Sequence, residues 1–366
     1  MRVFKRFVVI FLVVAVIAVA FVGCAAKSAS PARFEYWNEC SALGGLKAYV
    51  KAVTDKGSKD YIPEEDRIAV FDMDGTLCGE LFPEYLEYLL LEYRCLDDPD
   101  YQASDELKTV ANEIREAGKN YKTPNIPNYD VRHGKAQAEA FKGMTPSAFI
   151  EYVKTFLQRD AKGFTGLKYA DSIYKPMIEV VSFLQANGFK TYVVSGSDRM
   201  ICRAVACEKL NIPENQIIGM DVTLVATHEP DCESNEEYHN TNLQYQFNDD
   251  YYKNDGEKDV LVRGDSLWIK NLKMNKVFQI AQEIGKQPVL SFGNSSGDVS
   301  MHEYTVTNNK YRSMAFMLVA DDAERDHADL TETNKRIAQW EKYGYEMISM
   351  KNDFKTIYGY GVTMTE

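Results

Sequence analysis

The fold is decided by the stretch Ile68-Ala69-Val70-Phe71-Asp72-Met73-Asp74-Gly75-Thr76. Its apolar first half predicts a short buried β-strand, because charged residues precede it and a glycine follows it. Alternate residues of an extended chain face the same way, so Asp72 and Asp74 are predicted to point into one site. Two negative charges this close need a cation, a shared proton or bulk water, and Mg²⁺ is the natural partner of oxygen ligands. An ordinary acidic turn is the competing interpretation.

The composition is that of a globular protein with a full hydrophobic core. The chain has 366 residues, of which 45% are hydrophobic, and a formal net charge of −12. This length suits one large or two medium domains. Nucleic-acid phosphates require a basic surface, so the acidic balance argues against a nucleic-acid partner.

The N-terminus has the layout of a secretory signal. A basic start with Arg2, Lys5 and Arg6 precedes an apolar run over residues 7–22. The sequence Phe21-Val22-Gly23-Cys24 resembles a bacterial lipobox, which implies cleavage before Cys24, lipidation of its thiol and anchoring to a membrane of the cell envelope. An uncleaved anchor and simple secretion are the alternatives, and in each case the protein is exported.

Strands and helices alternate along the rest of the chain. The predicted elements are a helical stretch (78–167), a helix (173–186), a strand (189–194), a helix (199–210), hairpins and loops (217–258), a helix (277–284), a strand (288–292) and a further strand (313–319). This alternation predicts an α/β fold, with a Rossmann-like parallel sheet, helices on both faces and an inserted helical unit.

Polar side chains follow the predicted strands. Ser195 and Gly196 offer a hydroxyl and N–H groups at a helix start, and Lys276 offers a positive charge. Asn294 and Asp298 offer two more oxygens to a cation. Singly, each has an ordinary explanation as an N-cap, a solvated lysine or a loop. Open α/β sheets bind ligands beyond the carboxyl ends of their strands, so order and placement together predict one site.

These motifs resemble those of haloacid dehalogenase superfamily phosphatases. The matches are FDMDGT (71–76), VVSGS (193–197), Lys276 and GNSSGD (293–298), in the family's order, and the similarity extends from about Trp37 to Val319. The chain looks closest to an exported branch with phosphoserine-phosphatase-like features. The resemblance implies an Mg²⁺-dependent hydrolase of small phosphate monoesters that acts through an aspartyl-phosphate.

The resemblance also implies a role for each residue. Asp72 resembles the nucleophile, and Asp74 resembles the general acid/base, whose backbone carbonyl also binds Mg²⁺. Lys276 would neutralise charge on Asp72 and the transferring group. The implied phosphate contacts are Ser195, Gly196 and Lys276. The implied metal ligands are Asp72, Asp74, Asn294 and Asp298.

Two positions depart from the family's pattern. Asn294 stands where Asp is commoner, which removes one charge and predicts weaker metal binding. Ser197 replaces a frequent glycine. The Asn294 departure favours an alternative function, a catalytically weak lipoprotein that binds phosphate esters. The intact Asp72, Asp74, Ser195 and Lys276 favour the phosphatase.

The predicted domains are a signal segment (1–23), a tether with an N-terminal helix (24–60), an α/β core (61–79 and 168–366) and a helical cap (80–167). A cap of this kind would close over the site. Glu80 and Glu84 can bind a substrate ammonium or simply face solvent. Five tyrosines can form a choline cage or pack as an ordinary stripe; they are Tyr85, Tyr88, Tyr93, Tyr121 and Tyr129. The cysteines other than Cys24 are predicted to be mostly free thiols, with at most one disulfide.

Overall fold

The computed structural model describes residues 33–80, 85–119, 126–227 and 260–365. The signal segment, Cys24, Glu84, Tyr121 and Cys232 lie outside these residues. The strands are β1 (Ile68–Phe71), β2 (Phe164–Thr165), β3 (Lys190–Asp198), β4 (Ile217–Ala226), β5 (Leu261–Ile269), β6 (Leu290–Gly293), β7 (Met314–Val319), β8 (Glu346–Ser349) and β9 (Thr363–Met364). The α-helices are α1 (Ser41–Thr54), α2 (Leu86–Leu96), α3 (Asp105–Lys119), α4 (Tyr129–Ala140), α5 (Pro146–Leu157), α6 (Lys175–Ala186), α7 (Arg199–Leu210), α8 (Met274–Gln279), α9 (Val299–Val306), α10 (Leu330–Tyr343) and α11 (Met350–Asp353).

A seven-stranded sheet in the order β5-β4-β3-β1-β6-β7-β8 forms the centre of the described part. Neighbouring strands are parallel except for the antiparallel pair β4–β5. The predicted parallel α/β fold is therefore confirmed. The central strand β1 is buried along its whole length, and the chain later adds β3 on one side of it and β6 on the other. Such a reversal of strand order opens a crevice at the carboxyl end of the sheet.

An aromatic ladder fixes the strands that carry the site. The rings of Phe71 and Phe292 stack at 4.5 Å, and those of Phe292 and Phe316 stack at 4.8 Å. Stacked pairs of this kind contribute about 0.5–1.5 kcal/mol each beyond their burial. The ladder sets the register of β1, β6 and β7, so Asp72 and the loop after Gly293 leave the sheet at the same level.

Helices α2 to α5 lie between β1 and β2 in the chain. Helix α4 packs against β5, and α5 packs against α7, so this helical segment rests on the sheet and its flanking helix. The division into a cap (80–167) and a core stays a prediction. A small antiparallel pair, β2–β9, joins the end of the helical segment to the C-terminal residues.

Two predictions about secondary structure are wrong. The start of the stretch 217–258, predicted as hairpins and loops, instead forms β4, which pairs parallel with β3 and antiparallel with β5; residues 228–258 lie outside the described residues. The polar composition of the later residues hid the apolar start of that strand. The strand predicted to stop at Val194 continues as β3 through Asp198, with an irregular register between these two residues.

The described residues bear on two further predictions. Their five cysteines are free: Cys40, Cys78, Cys95, Cys202 and Cys207. No helix in the described ranges is long and apolar enough to cross a membrane. Lipidation of Cys24 stays a prediction.

Candidate active site

Lys276 joins two carboxylates at the carboxyl end of the sheet. Its buried ammonium nitrogen Nζ lies 2.5 Å from Asp72 Oδ1 and 2.6 Å from Asp298 Oδ1. Burial and the charge of Asp298 raise the pKa of Asp72 by more than Lys276 lowers it. One ammonium therefore does not balance both acids, and the arrangement favours a further cation beside Asp72.

Both carboxylate oxygens of Asp298 are hydrogen-bonded. Oδ1 accepts from Lys276, and Oδ2 accepts from the backbone N–H groups of Asn294 and Ser295 at 3.1 and 3.0 Å. Burial opposes ionisation of Asp298, but the charge of Lys276 and the hydrogen bonds that the carboxylate accepts together outweigh burial and lower the pKa of Asp298. These contacts orient Lys276 and the loop after β6. A direct metal contact by Asp298 stays a prediction.

The two carboxylate oxygens of Asp74 differ in their hydrogen bonding. Its Oδ2 accepts from the Ser197 hydroxyl at 2.7 Å and from the Ser195 hydroxyl at 3.4 Å. Its Oδ1 is buried and has no hydrogen-bond partner among the described residues. Burial raises the pKa of Asp74 to about 6, even though the Ser197 hydrogen bond acts in the opposite direction. A carboxyl group with a pKa in this range can both give and take a proton near neutral pH.

The loop after Asp74 depends on Gly75. This glycine has a φ of +77°, and a Cβ atom at this position would lie 2.0 Å from Asn294 Nδ2. Glycine therefore permits both the sharp turn and the close approach of Asn294. The Asn294 amide donates to Glu80 Oε1 at 2.9 Å and accepts from Thr76 Oγ1 at 3.4 Å. The structure thus brings Asn294 against the loop that carries both aspartates.

The sequence predicts Ser195 and Gly196 at the start of a helix, but the structure places the Ser195–Ser197 segment differently. Ser195 is fully buried, and its hydroxyl accepts from the Ser197 N–H at 3.1 Å. Gly196 and Ser197 line the cavity beside Asp72 and Asp74. Helix α7 begins only at Arg199, so Ser195 does not stand at the helix start. The hydroxyl closest to the acid/base candidate belongs to Ser197, which sequence reasoning had noted only as a replaced glycine.

The cavity at this edge has a volume of about 410 Å³. Five charged residues that the sequence does not single out also line it: Glu87, Asp130, Lys270, Lys273 and Arg336. They come from α2, α4, α10 and the segment after β5, so no local motif unites them. One signal was available, because Glu87 is a charged residue within the apolar run of α2.

The tyrosines predicted as a possible cage divide into two groups. Tyr85 and Tyr88 line the cavity with ring centroids 5.4 Å apart, and Tyr129 packs on Tyr88 at 5.5 Å. The Tyr88 hydroxyl donates to Asp130 Oδ1 at 3.1 Å. Tyr93 packs on Phe156 instead and is not among the residues that line the cavity. Among the tyrosines that the structure describes, an aromatic surface therefore exists on the helical side of the cavity, and Tyr93 is not part of it.

The oxygen donors at the floor of the cavity fit Mg²⁺. Asp72 brings a carboxylate and Asn294 an amide oxygen to the cavity lining, and the family resemblance implies the backbone carbonyl of Asp74 as a further ligand. Within the described ranges, no group of three or more His, Cys, Asp or Glu residues forms a full cage. Magnesium does not need one, because it is usually bound by one or two carboxylates, waters and substrate phosphates. The raised pKa of Asp72 is the charge imbalance that such a cation would relieve.

The solved structures that resemble the chain include three distant matches. A conserved protein of unknown function from Anaerococcus prevotii DSM 20548 matches with a TM-score of 0.48 and 14% identity, over 87% of this chain and 96% of its own. Cytosolic 5′-nucleotidase IIIB bound to cytidine matches at 0.44 and 12%, over 83% of each chain. A substrate-bound phosphoserine phosphatase matches at 0.34 and 13%, over 75% of this chain and 98% of its own. Similarity this distant transfers neither activity nor substrate.

No curated protein is significantly similar in sequence to the chain. A family model does match the stretch that runs from just before β1 to just beyond β4. Residues 67–232, which include Asp72, Asp74 and Ser195, match the model of the haloacid dehalogenase-like hydrolases.

Proposed function

We propose that the protein is an exported, Mg²⁺-dependent phosphomonoester hydrolase that acts through an aspartyl-phosphate on Asp72. The observation that carries this proposal is the contact of Lys276 with Asp72 at 2.5 Å, in a cavity that also holds Asp74. Phosphoryl transfer needs mainly in-line positioning and neutralisation of charge, and this group of residues suits both needs. The family match over residues 67–232 supports a hydrolase.

In the first step, a carboxylate oxygen of Asp72 attacks phosphorus, and the bond from phosphorus to the leaving oxygen breaks. Asp74 donates its proton to that oxygen, which leaves as an alcohol. Lys276 neutralises negative charge on Asp72 and on the transferring group. A bound Mg²⁺ would supply the further positive charge that lets a carboxylate approach a phosphate dianion.

In the second step, Asp74 is a carboxylate and accepts a proton from water. The water oxygen attacks phosphorus, the bond to Asp72 breaks, and inorganic phosphate leaves. The hydroxyl of Ser197 holds Asp74 Oδ2 at 2.7 Å, so the buried Oδ1 is the oxygen left to carry the proton. Both aspartates return to their starting states.

A panel of phosphate monoesters tests the proposal. We expect phosphate release from the protein beginning at residue 27 to require Mg²⁺ and to be lost in Asp72→Asn. Asp221→Asn is the matched control, because Asp221 pairs with Arg199 at 2.7 Å on the edge of the core and lies outside the cavity. Folded wild-type protein that hydrolyses none of the esters would overturn the proposal. The order of preference within the panel would identify the substrate, with phosphoserine and phosphocholine as the first two candidates.

The second candidate function is a weakly catalytic lipoprotein that binds phosphate esters. Asn294 favours it, because an amide contributes less charge to a cation than a carboxylate. The hydrogen bond of Asn294 to Glu80 at 2.9 Å also occupies part of the amide. Tight binding of phosphate esters without turnover would support this alternative.

Export and membrane anchoring are part of the proposal and rest on residues 1–24. Metabolic labelling with a palmitate analogue tests the anchor. We expect the label on the wild-type protein and its loss in Cys24→Ser. Unlabelled protein recovered from the medium would favour simple secretion, and an unlabelled membrane-bound protein would favour an uncleaved anchor.

A further inference from the structure

Glu87 of α2 reaches from the helical segment to the catalytic end of the sheet. Its carboxylate is 1% exposed. Oε2 accepts from the backbone N–H of Asp198 at 2.6 Å, and Oε1 accepts from Lys270 Nζ at 2.9 Å. Asp198 ends β3 and Lys270 follows β5, so one side chain of the helical segment binds two elements of the sheet.

The segment that Glu87 holds has little regular strand pairing of its own. The register between β3 and β4 is irregular from Val194 to Asp198. Side chains supply the missing bonds: Asn271 Nδ2 donates to the Ser195 carbonyl at 3.0 Å, and the Ser195 hydroxyl accepts from Ser197 N. The bond from the Asp198 N–H to Glu87 fixes the peptide that directly follows Ser197.

Ser197 in turn holds Asp74 through the bond of 2.7 Å from its hydroxyl to Oδ2. We propose that Glu87 is a positioning residue, which orients the Asp74 carboxyl through the Asp198 N–H and the Ser197 hydroxyl. The inference rests on the proposed function, in which Asp74 is the acid and base. It gives the helical segment a part in proton transfer besides that of covering the cavity.

The charge of Glu87 strengthens this link. Burial alone would favour the neutral acid, but the charge of Lys270 and the interaction with His133 lower the pKa of Glu87 to about 2. An ionised acceptor makes shorter and stronger hydrogen bonds than a neutral one. In Glu87→Gln the side chain has a single acceptor oxygen for two donors, so either the Asp198 N–H or Lys270 loses its partner.

A purely structural role for Glu87 predicts different kinetics from a positioning role. If Glu87 acts through Asp74, its loss matters most for esters whose leaving group must be protonated. We expect Glu87→Gln to lower kcat/KM roughly 10- to 100-fold on an alkyl phosphate, since general acid catalysis contributes about 10²–10⁴ in total. On p-nitrophenyl phosphate, whose leaving group needs no proton, we expect a smaller loss.

The test is a double-mutant cycle of Glu87→Gln and Ser197→Ala on both esters, with Glu92→Gln as the matched control. Glu92 lies on the same helix and is also buried, but it pairs with Arg115 at 2.9 Å and is not among the residues that line the cavity. Residues that act through one another are not additive. We therefore expect Glu87→Gln to cause little further loss in the Ser197→Ala background, and Glu92→Gln to leave the ratio of the two rates unchanged.

Hydrogen exchange at the Asp198 amide gives a readout that does not depend on turnover. We expect faster exchange in Glu87→Gln and unchanged exchange in Glu92→Gln. Additive losses in the cycle, equal losses on both esters, or unchanged exchange at Asp198 would each overturn the role of Glu87. A wild-type protein that is folded but inactive would instead overturn the phosphatase, and with it any role of Glu87 in proton transfer.

Discussion

Two buried aspartates lie at the ends of neighbouring strands, and they differ in how far the surrounding groups compensate their negative charge. Asp198 ends β3, and each of its oxygens has a partner: Oδ1 accepts from Met200 N at 2.8 Å and Oδ2 from Arg263 Nη2 at 2.7 Å. Asp72 follows β1 and shares the single ammonium of Lys276 with Asp298. Its pKa is raised, because burial and the neighbouring carboxylate outweigh that ammonium.

This difference separates a structural pair from a reactive one. Arg263 is 1% exposed and packs over the ring of Phe149 at 4.0 Å, so it joins α5 of the helical segment to β5 as well as to Asp198. Removing one partner of such a buried pair leaves the other charge uncompensated, so Asp198 is committed to the structure. A buried carboxylate that lacks compensation and faces a cavity is a candidate for chemistry.

The largest expected effect is on turnover. Asp72→Asn removes the nucleophile, so we expect kcat to fall by roughly 10³-fold or more. The free energy of unfolding should stay the same or rise, because the change removes an undercompensated buried charge. Phosphate release and urea denaturation measure the two quantities. A destabilised but active variant would reverse the assignment of Asp72.

Asp198→Asn, in contrast, should lower the free energy of unfolding. It leaves the Arg263 guanidinium buried without a counter-ion, and breaking such a pair costs about 3–5 kcal/mol of unfolding free energy. Urea denaturation checks this value against Asp221→Asn, whose partly exposed pair with Arg199 should contribute about 0–1 kcal/mol. Equal effects in the two variants would show that burial of the Asp198 pair does not decide its contribution.

A third buried aspartate, Asp326, has hydrogen bonds but no ion pair among the described residues. Its oxygens accept from Tyr358 Oη at 2.9 Å and from His327 N at 2.8 Å. Burial raises its pKa to about 7, so the folded state binds the proton more tightly than the unfolded state does. The stability that protonated Asp326 contributes is complete below about pH 4 and is lost as the pH rises towards 7, by roughly 2–4 kcal/mol.

Asp326→Asn isolates this contribution from those of other titrating groups. We expect the stability of the wild type relative to the variant to fall between pH 5 and pH 8, as measured by urea denaturation at both values. A difference that does not change with pH would mean that Asp326 is compensated in the same way as Asp198.

The smallest expected effect concerns Asn294. Asn294→Asp adds a charge at the cavity floor, so we expect Mg²⁺ to bind roughly 10-fold more tightly by titration calorimetry, which is about 1.4 kcal/mol. Repulsion from Glu80, which now accepts a hydrogen bond from the amide, sets the upper limit of this gain. Weaker binding in Asn294→Asp would place the cation away from residue 294.

Local sequence was enough to predict the parts of the site that lie within single elements. The strand before Asp72, the Asp-x-Asp-Gly turn and helix α7 all follow from neighbouring residues. Lys276 and the loop after β6 were predicted from the order and placement of polar residues after the strands, together with the family pattern. Lys276 lies 204 residues from Asp72 along the chain, and the two meet because the sheet order brings β1 and β6 together.

The remaining contacts join residues that are far apart in the sequence, so no local pattern predicts them. Glu87 meets the Asp198 N–H across 111 residues, and Arg263 meets Asp198 across 65. Each of these residues looks like an ordinary charge in its own segment. The extension of β3 through Asp198 was also missed, because Ser-Gly-Ser is typical of a turn and side chains from other elements, Glu87 and Asn271, help to keep it extended.

The central claim is that Asp72 carries the phosphoryl group, and chemical trapping tests it most directly. Asp74→Asn should slow hydrolysis of the intermediate while p-nitrophenyl phosphate, which needs no acid, still forms it. After acid quench, borohydride reduces an acyl phosphate to the alcohol, so peptide mapping should find homoserine at residue 72 only when substrate is present. Phosphate release by the wild type, with aspartate unmodified at position 72 and activity retained in Asp72→Asn, would contradict the account.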